Sequence, residues 1–454
     1  MSKLSITFVR GARRVTGANF LLEAQEEGGK ITRILIDCGL SQGERFCESV
    51  NREEFSYDPS DIDVVFFTHA HADHIGLFPK LVKEGFQGKA YATAPTVDLM
   101  PVMLEDSVKI IGAEAKTCGY EAPYYADDVS KAVSIVNEVP YDIPVSAGPF
   151  TATFMNAGHI MGSATILIEA FGKKILFTGD LGRVPTAIVP DHEAPPKVDY
   201  LITESVYGNR LHGSLDSAKE ALFRAVNDCS KKKGVLLIPS FSLERTQIIL
   251  SALDEALTAG KIPPVPIFMD SPLAAKVTNI YRSNHAFLRA EVQSRLEGGD
   301  DPFSFPSLSV TEGNEESKSI DDVPPPKIII AGAGMSHGGR IRRHEKKYLP
   351  NPNTMLLLVG YQAAGSLGRR LHSGEKKVKI DDEWVSVRAK ILSTGGFSAH
   401  ADRDDLMNFA EAANPKKAFV VLGETESATF LAQRLSGFLG TDAIVPREGE
   451  MYEL

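Results

Sequence analysis

Apolar and polar residues alternate in short bursts along the first part of the chain. The segments LSITFV at 4–9, ITRILIDCG at 31–39 and DIDVVFF at 61–67 are each bounded by Gly, Asp or Pro. A period of two with many β-branched residues predicts half-buried strands. After Thr68 the period lengthens: apolar residues recur three and four apart from Gly76 to Lys83 and from Thr96 to Ile111, which predicts helices. Strands are predicted again at Phe150–Met155, Ala164–Ala170 and Lys174–Thr178. The pattern describes a stacked β layer with helices outside it.

From about Leu211 the pattern changes. Ser217–Cys229 and Leu243–Leu257 carry helical spacing, whereas GVLLIP, VPIFMD, Lys327–Ile330 and Met355–Val359 are continuous apolar runs. Such runs suit strands of a parallel sheet covered on both faces. The stretch Asp300–Pro326 is polar, acidic and rich in proline, and predicts an irregular excursion. Near Val387 the short-strand style returns, ending in Ala418–Leu422. The division predicted is 1–210 and 387–454 as two parts of one domain, with 211–386 inserted as a second α/β domain.

Length and composition change this picture little. A chain of 454 residues has room for two cores, and 43% hydrophobic with 24% charged residues is ordinary for a globular protein. No stretch approaches the roughly 20 apolar residues of a membrane helix. The start MSKLSITFVRG lacks the apolar core of a signal peptide, so a cytoplasmic location without a membrane partner is expected. Cys38, Cys47, Cys118 and Cys229 have no CxxC spacing and are expected to be reduced and structural.

Charge has a sharper consequence. A formal net charge of -10 repels a polyanion on average, so a nucleic-acid site must be local. The local basic runs are Gly338–Lys347 (GGRIRRHEKK) and Arg369–Lys379, which holds Arg369, Arg370, Lys376, Lys377 and Lys379. Charge runs are more often plain solvated surface than binding sites.

The densest chemistry lies in FFTHAHADHIG. His69 and His71 stand two apart at a strand end, so both imidazoles can project the same way; Asp73 and His74 follow where a helix begins. Three imidazoles and a carboxylate so close together suit zinc or a similar divalent ion.

This HxHxDH motif resembles the signature of the metallo-β-lactamase superfamily. The resemblance implies an αββα sandwich with a two-metal site at its edge. It extends to Asp37 in LIDCGLSQG, at the position of an aspartate that orients the ligand loop; to His159 in NAGHIMGSA, matching the next metal ligand; and to Asp180 in FTGDLG, matching the carboxylate that bridges two ions. Glu204 in LITESVYGNR and His400 in STGGFSAHAD resemble the first two motifs of the beta-CASP branch, which is named for its inserted α/β domain. Further similar segments, GARRVTGANF, IPSFSLERTQ, DSPLA and GAGMSHGG, carry the resemblance over most of the chain. It is closest to bacterial and archaeal relatives of the endonuclease subunit that cleaves messenger RNA precursors, with ribonuclease J more distant.

The family resemblance implies zinc-dependent hydrolysis of RNA phosphodiester bonds, endonucleolytic or from the 5′ end. Its metal ligands would be His69, His71, Asp73, His74, His159 and Asp180. The nucleophile would be a metal-held hydroxide, with Asp73, Glu204 and His400 as catalytic residues and His400 as general acid, kept protonated by Glu204. The loops GAGMSHGG and GGFSAH are rich in Gly and Ser and allow close approach to a phosphate, which makes Ser336, Ser398 and Arg340 candidates for gripping the backbone. The site is expected where the two domains meet.

One departure stands out. The family's third motif ends in a histidine, but here the stretch is FVVLGETES, with Leu422 at that position. The implied outcome is one firmly held zinc and a weak second site, manganese being the alternative ion, with reduced activity. An aliphatic residue there also resembles the DNA-acting members, so single-stranded RNA is the first expected partner and DNA the second. A non-cleaving RNA-binding scaffold is the competing class. Relatives often dimerise, so a homodimer is compatible with the family.

Overall fold

A computed structural model describes residues 2–42, 50–363 and 365–454 of the protein. The chain divides into two compact units, 1–211 with 400–454 and 212–399.

In the first unit, the predicted period-two segments form two seven-stranded sheets among the described residues. One runs Met451–Glu453, Lys3–Arg10, Asn19–Gln25, Ile31–Ile36, Val64–Phe66, Lys89–Ala92, Val136–Glu138; the other runs Asp442–Ile444, Lys417–Val420, Tyr200–Thr203, Lys173–Phe177, Ala164–Ala170, Phe150–Asn156, Val145–Ala147. Alternation sets their facing: Leu4, Ile6 and Phe8 of the first strand turn inward and meet Phe20, Phe154, Phe177 and Phe419 in one core between the sheets. The second sheet is covered on its outer face by the helices Arg403–Ala413 and Thr425–Leu439, through Leu406, Phe409, Leu431 and Leu435. The helix Ala94–Cys118 belongs to the same unit. The result is the αββα sandwich.

The second unit is built on a six-stranded sheet in the order Leu308–Val310, Ile267–Met269, Lys327–Ala331, Val235–Pro239, Met355–Leu358, Lys390–Ser393, with parallel pairing throughout. The strands VLLIP, KIIIA and MLLL are buried at every position, which is why they read as unbroken apolar runs. An antiparallel hairpin, Lys377–Ile380 with Glu383–Ser386, lies outside this sheet.

Two expectations change here. The stretch Asp300–Pro326 is not wholly irregular: Leu308–Val310 pairs in parallel with Ile267–Met269, and Asn314–Ser319 is helical. Lys390–Ser393, expected in the first domain, pairs instead with Met355–Leu358, so the unit boundary falls at 399/400 rather than at 386/387. Four residues of mixed polarity do not announce which sheet they join; the pairing partner decides it.

The cysteines also depart from expectation. Cys38 and Cys229 are free and buried, but Cys118, at the end of its helix, is disulfide-bonded. Sequence spacing carries no information on pairing between distant cysteines. Cys47 lies outside the described residues. No helix among these residues is long and apolar enough to cross a membrane.

Candidate metal centre

The candidate ligands of the first unit sit in the loops that follow its strands. Asp37 follows Ile31–Ile36, His69 and His71 follow Val64–Phe66, His159 follows Phe150–Asn156, Asp180 follows Lys173–Phe177 and Glu204 follows Tyr200–Thr203. These loops pack so closely that two glycines are obligatory. A Cβ on Gly39 would lie 1.6 Å from the Asp73 carbonyl oxygen, and one on Gly182 would lie 1.9 Å from that of Gly158. The sequence places small residues where ligand loops cross.

Four donors converge. The His71 Nδ1 lies 3.0 Å from His69 Nε2 and 3.3 Å from His159 Nε2; Asp180 Oδ2 lies 3.5 Å from His69 Nε2 and 3.4 Å from His159 Nε2. Donors bonded to a tetrahedral zinc at its usual length stand about 3.4 Å apart. The donor set is therefore spaced for an ion at its centre.

Its protonation suits the same end. Burial and the neighbouring imidazoles push His69, His71 and His159 below the ordinary histidine value, so they are neutral and keep a lone pair. Asp180 is held well below the usual carboxylate range: burial opposes its charge, but His74, His69 and His400 outweigh it. Three neutral imidazoles and an ionised carboxylate form the state that binds a divalent cation without first losing protons.

Asp37 orients this set through a residue that sequence reading did not single out. With a φ of 61°, it accepts from the Thr68 N–H at 2.8 Å, from the Thr68 hydroxyl at 2.8 Å and from His74 Nδ1 at 2.7 Å. The Thr68 hydroxyl is also 3.0 Å from His69 Nδ1. One buried carboxylate thus fixes two rings, the second through a threonine. Ser163 plays a comparable part for His159, its hydroxyl accepting from the His159 backbone N–H at 3.0 Å.

Beside the four donors stands a second group, Asp180, Glu204 and His400. The His400 Nδ1 lies 3.3 Å from Glu204 Oε1 and 4.0 Å from Asp180 Oδ2. Burial works against a charged His400, but the Glu204 carboxylate and its hydrogen bond prevail and push the imidazole up to about 9. Glu204 is itself fully buried and fixed by the Leu181 N–H at 2.7 Å, while its backbone N–H donates to the Thr178 hydroxyl at 3.1 Å.

Asp73 and His74 are placed differently. The His74 Nε2 is buried without a hydrogen-bond partner and lies 3.3 Å from Asp180 Oδ1. Among the described residues, no cluster of three or more close donors contains His74 or Asp73. Leu422 is buried in the core between the sheets, its φ of 46° held by hydrogen bonds from its N–H to Gly11 and from the Ser205 N–H to its carbonyl. It offers no donor.

The candidates for gripping a nucleic-acid backbone are not presented for that purpose. Ser336 is fully buried and donates its hydroxyl to Glu345 at 2.5 Å, with Glu345 pushed up to about 8 by burial. Arg340 binds Asp270 at 2.8 Å and the carbonyls of Thr311 and Glu312. Both residues serve the interior of the second unit, and the Gly-rich loop that suggested a ligand instead turns the chain toward these partners. Ser398 is also buried.

An αββα sandwich carrying a cluster of three histidines and an aspartate at its strand ends defines a metallo-hydrolase of the metallo-β-lactamase fold. The sequence matches the Metallo-beta-lactamase superfamily over residues 25–240, the Beta-Casp domain over 246–371 and the Zn-dependent metallo-hydrolase RNA specificity domain over 384–446. It is 35% identical to Ribonuclease TTHA0252 of Thermus thermophilus, across 97% of both chains. The chain belongs to the beta-CASP metallo-hydrolase family. It is also 31% identical to Transcription termination factor FttA of Methanosarcina mazei, over 94% of this chain and 68% of that one, and 30% identical to an RNase J-like protein of Methanocaldococcus jannaschii, over 92% and 93%. A crystal structure of a protein of unknown function from Enterococcus faecalis V583 shares the fold, with a TM-score of 0.58, 13% identity and full coverage of both chains.

Proposed function

We propose that the protein is a metal-dependent phosphodiesterase that cleaves RNA. The observation that carries this reading is the convergence of His69, His71, His159 and Asp180 at 3.0 to 3.5 Å beside the His400–Glu204 pair. The ribonuclease relative, at 97% coverage, and the match to an RNA specificity domain support RNA as substrate.

His69, His71, His159 and Asp180 would hold the ion, and their nitrogen-rich donor set favours zinc, with manganese as the alternative. When bound, such an ion supplies Lewis-acid charge to a phosphoryl oxygen and lowers the pKa of water. His400, with its proton held at neutral pH, donates it to the leaving oxygen. Its Nδ1 is engaged by Glu204, which leaves Nε2 as the nitrogen not committed to that carboxylate. Asp37 and Thr68 keep the ligand rings aimed. Asp73, His74 and Asp180 would hold a second ion only weakly, because Asp73 and His74 join no close donor cluster among the described residues and Leu422 contributes no donor, and the activity is reduced accordingly. That same aliphatic side chain favours a second reading, DNA as substrate.

The test uses end-labelled single-stranded RNA and DNA of matched sequence, with zinc or manganese, beside a His69→Ala, Asp180→Asn variant. Cleavage of RNA that the variant has lost supports the proposal, and preferential cleavage of DNA replaces it with the second reading. Binding of RNA without cleavage by the wild type would assign the chain a scaffold role. RNA blocked at both ends separates internal cutting from cutting at the 5′ end.

A further inference from the structure

The two basic runs of the second unit are largely neutralised by acids, some distant in sequence and some within five residues. Arg342 pairs with Asp381 at 2.9 Å, Lys346 with Glu383 at 2.6 Å, Lys347 and Arg343 with Asp321 at 3.0 and 2.9 Å, Lys379 with Asp382 at 3.3 Å and Arg370 with Glu375 at 2.8 Å. Exposed pairs of this kind leave little net field. Once they are discounted, Arg369, Lys376 and Lys377 of these runs remain exposed with no ion pair among the described residues; Lys377 lies on the hairpin Lys377–Ile380/Glu383–Ser386, with Lys376 just before it and the likewise exposed and unpaired Arg388 just after it.

The hairpin has two unlike faces. Val378, Ile380 and Val385, with Val387 beyond the second strand, turn inward and join the core of the unit. By the period of two, Lys377, Lys379, Trp384, Ser386 and Arg388 turn outward, and all are exposed. Lys379 stands opposite Trp384 in the ladder, and the Lys377 Nζ lies 5.5 Å from the centre of the indole. Trp384 is the single tryptophan of the chain, and 62% of it is exposed.

An indole left in water forfeits the burial that would otherwise favour so large an apolar group, and the hairpin needs only Val378, Ile380 and Val385 to dock. Its neighbours decide what would cover it. A protein partner would be matched by further apolar surface, whereas this ring is bordered by the unpaired Lys377, by Ser386, and by Lys379 and Glu383, whose charges are met by Asp382 and Lys346. An aromatic face flanked by unpaired cations is matched by a base on the ring and phosphates on the cations.

We propose that this hairpin is an auxiliary contact for single-stranded RNA, with a base stacked on Trp384 and phosphates held by Lys376, Lys377 and Arg388. The inference rests on the reading of the chain as an RNA-cleaving enzyme and adds a binding site separate from the residues that would cleave.

Because the chain has one tryptophan, emission excited beyond the absorption of its twelve tyrosines reports on this site alone. The full-length His69→Ala, Asp180→Asn variant, which leaves RNA uncut, is titrated with a uridine oligoribonucleotide. Anisotropy of a fluorescein-labelled copy gives the affinity in parallel. The expected result is saturable quenching of Trp384 over the concentrations at which anisotropy rises, and no quenching by a ribose-phosphate oligomer lacking bases. Trp384→Ala weakens binding about tenfold, while Trp384→Phe, which keeps an aromatic face, recovers most of it. Replacing Lys376, Lys377 and Arg388 by alanine lowers the slope of log affinity against log salt by about two to three. Unchanged emission while anisotropy reports bound RNA rejects the hairpin site and leaves the proposed activity standing. Emission per molecule that changes with protein concentration, without RNA, rejects it in favour of contact between copies of the chain. No RNA binding by this variant rejects the hairpin site, and no cleavage by the zinc-loaded wild type overturns the proposed activity.

Discussion

Each unit buries an aspartate among histidine and other donors, and the two assemblies behave as opposites. In the second unit, Asp270 accepts from His344 at 2.7 Å, Ser317 at 2.7 Å, Thr311 at 2.7 Å and Arg340 at 2.8 Å, and this set of donors, against the opposing effect of burial, holds its carboxyl well below the usual range. Four donors there meet at one carboxylate, although His344 Nδ1 is itself buried without a hydrogen-bond partner. In the first unit, the donor atoms of His69, His71, His159 and Asp180 instead cluster within 4.8 Å of one another. The same residue types make a clamp where they satisfy one another and a ligand site where they leave a centre to be filled.

The largest effect that would sharpen this contrast is at Asp180. Asp180→Asn should release the ion and lower the cleavage rate by about a thousandfold or more, since several kcal/mol of charge stabilisation depend on it. Metal analysis and steady-state kinetics check it. The mirror change, Asp270→Asn, should leave metal content intact but cost about 3 kcal/mol or more of unfolding free energy, as breaking a buried charge pair does. Urea denaturation of the two variants would break the comparison if Asp270→Asn proved neutral or lost metal.

His400→Asn should keep the ion and lose about a hundredfold or more in rate, the usual contribution of a positioned acid. Asp37→Asn acts one step back: it leaves every ligand present but loosens His74 and, through Thr68, His69. Metal affinity should fall by about 10- to 100-fold, read by competition with a chelator. The smallest change is in pH dependence. His400 is raised to about 9, so the proton it donates is present below that value and activity should decline as pH rises through it. Glu204→Gln removes the charge that raises it and should move the decline toward the ordinary histidine value of about 6.5, seen in a pH–rate profile.

These assignments were legible in the sequence to different depths. In HAHADH the spacing alone put His69 and His71 at one strand end, where their ring nitrogens meet the donor atoms of His159 and Asp180, whereas Asp73 and His74 of the same motif join no close donor cluster among the described residues. His159 and Asp180 are ordinary loop residues by themselves and gained meaning from their order behind that motif. Thr68 gave no signal, since its part depends on a φ of 61° at Asp37 and on the approach of two loops. Ser336 and Arg340 misled because glycine-rich loops serve internal partners as readily as ligands, and those partners, Glu345 and Asp270, are set by the fold. The strand Lys390–Ser393 was misassigned for a related reason: its register with Met355–Leu358 is a property of the sheet and leaves no mark in four residues.

The central claim is that the first unit holds an ion where its imidazoles converge. The direct measurement is elemental analysis of the purified full-length protein after growth with added zinc, run beside His69→Ala, Asp180→Asn and beside Asp270→Asn. About one firmly retained divalent ion per chain is expected in the wild type and in Asp270→Asn, and none in the double variant. A folded wild type without bound metal, or equal retention in the double variant, would contradict the account.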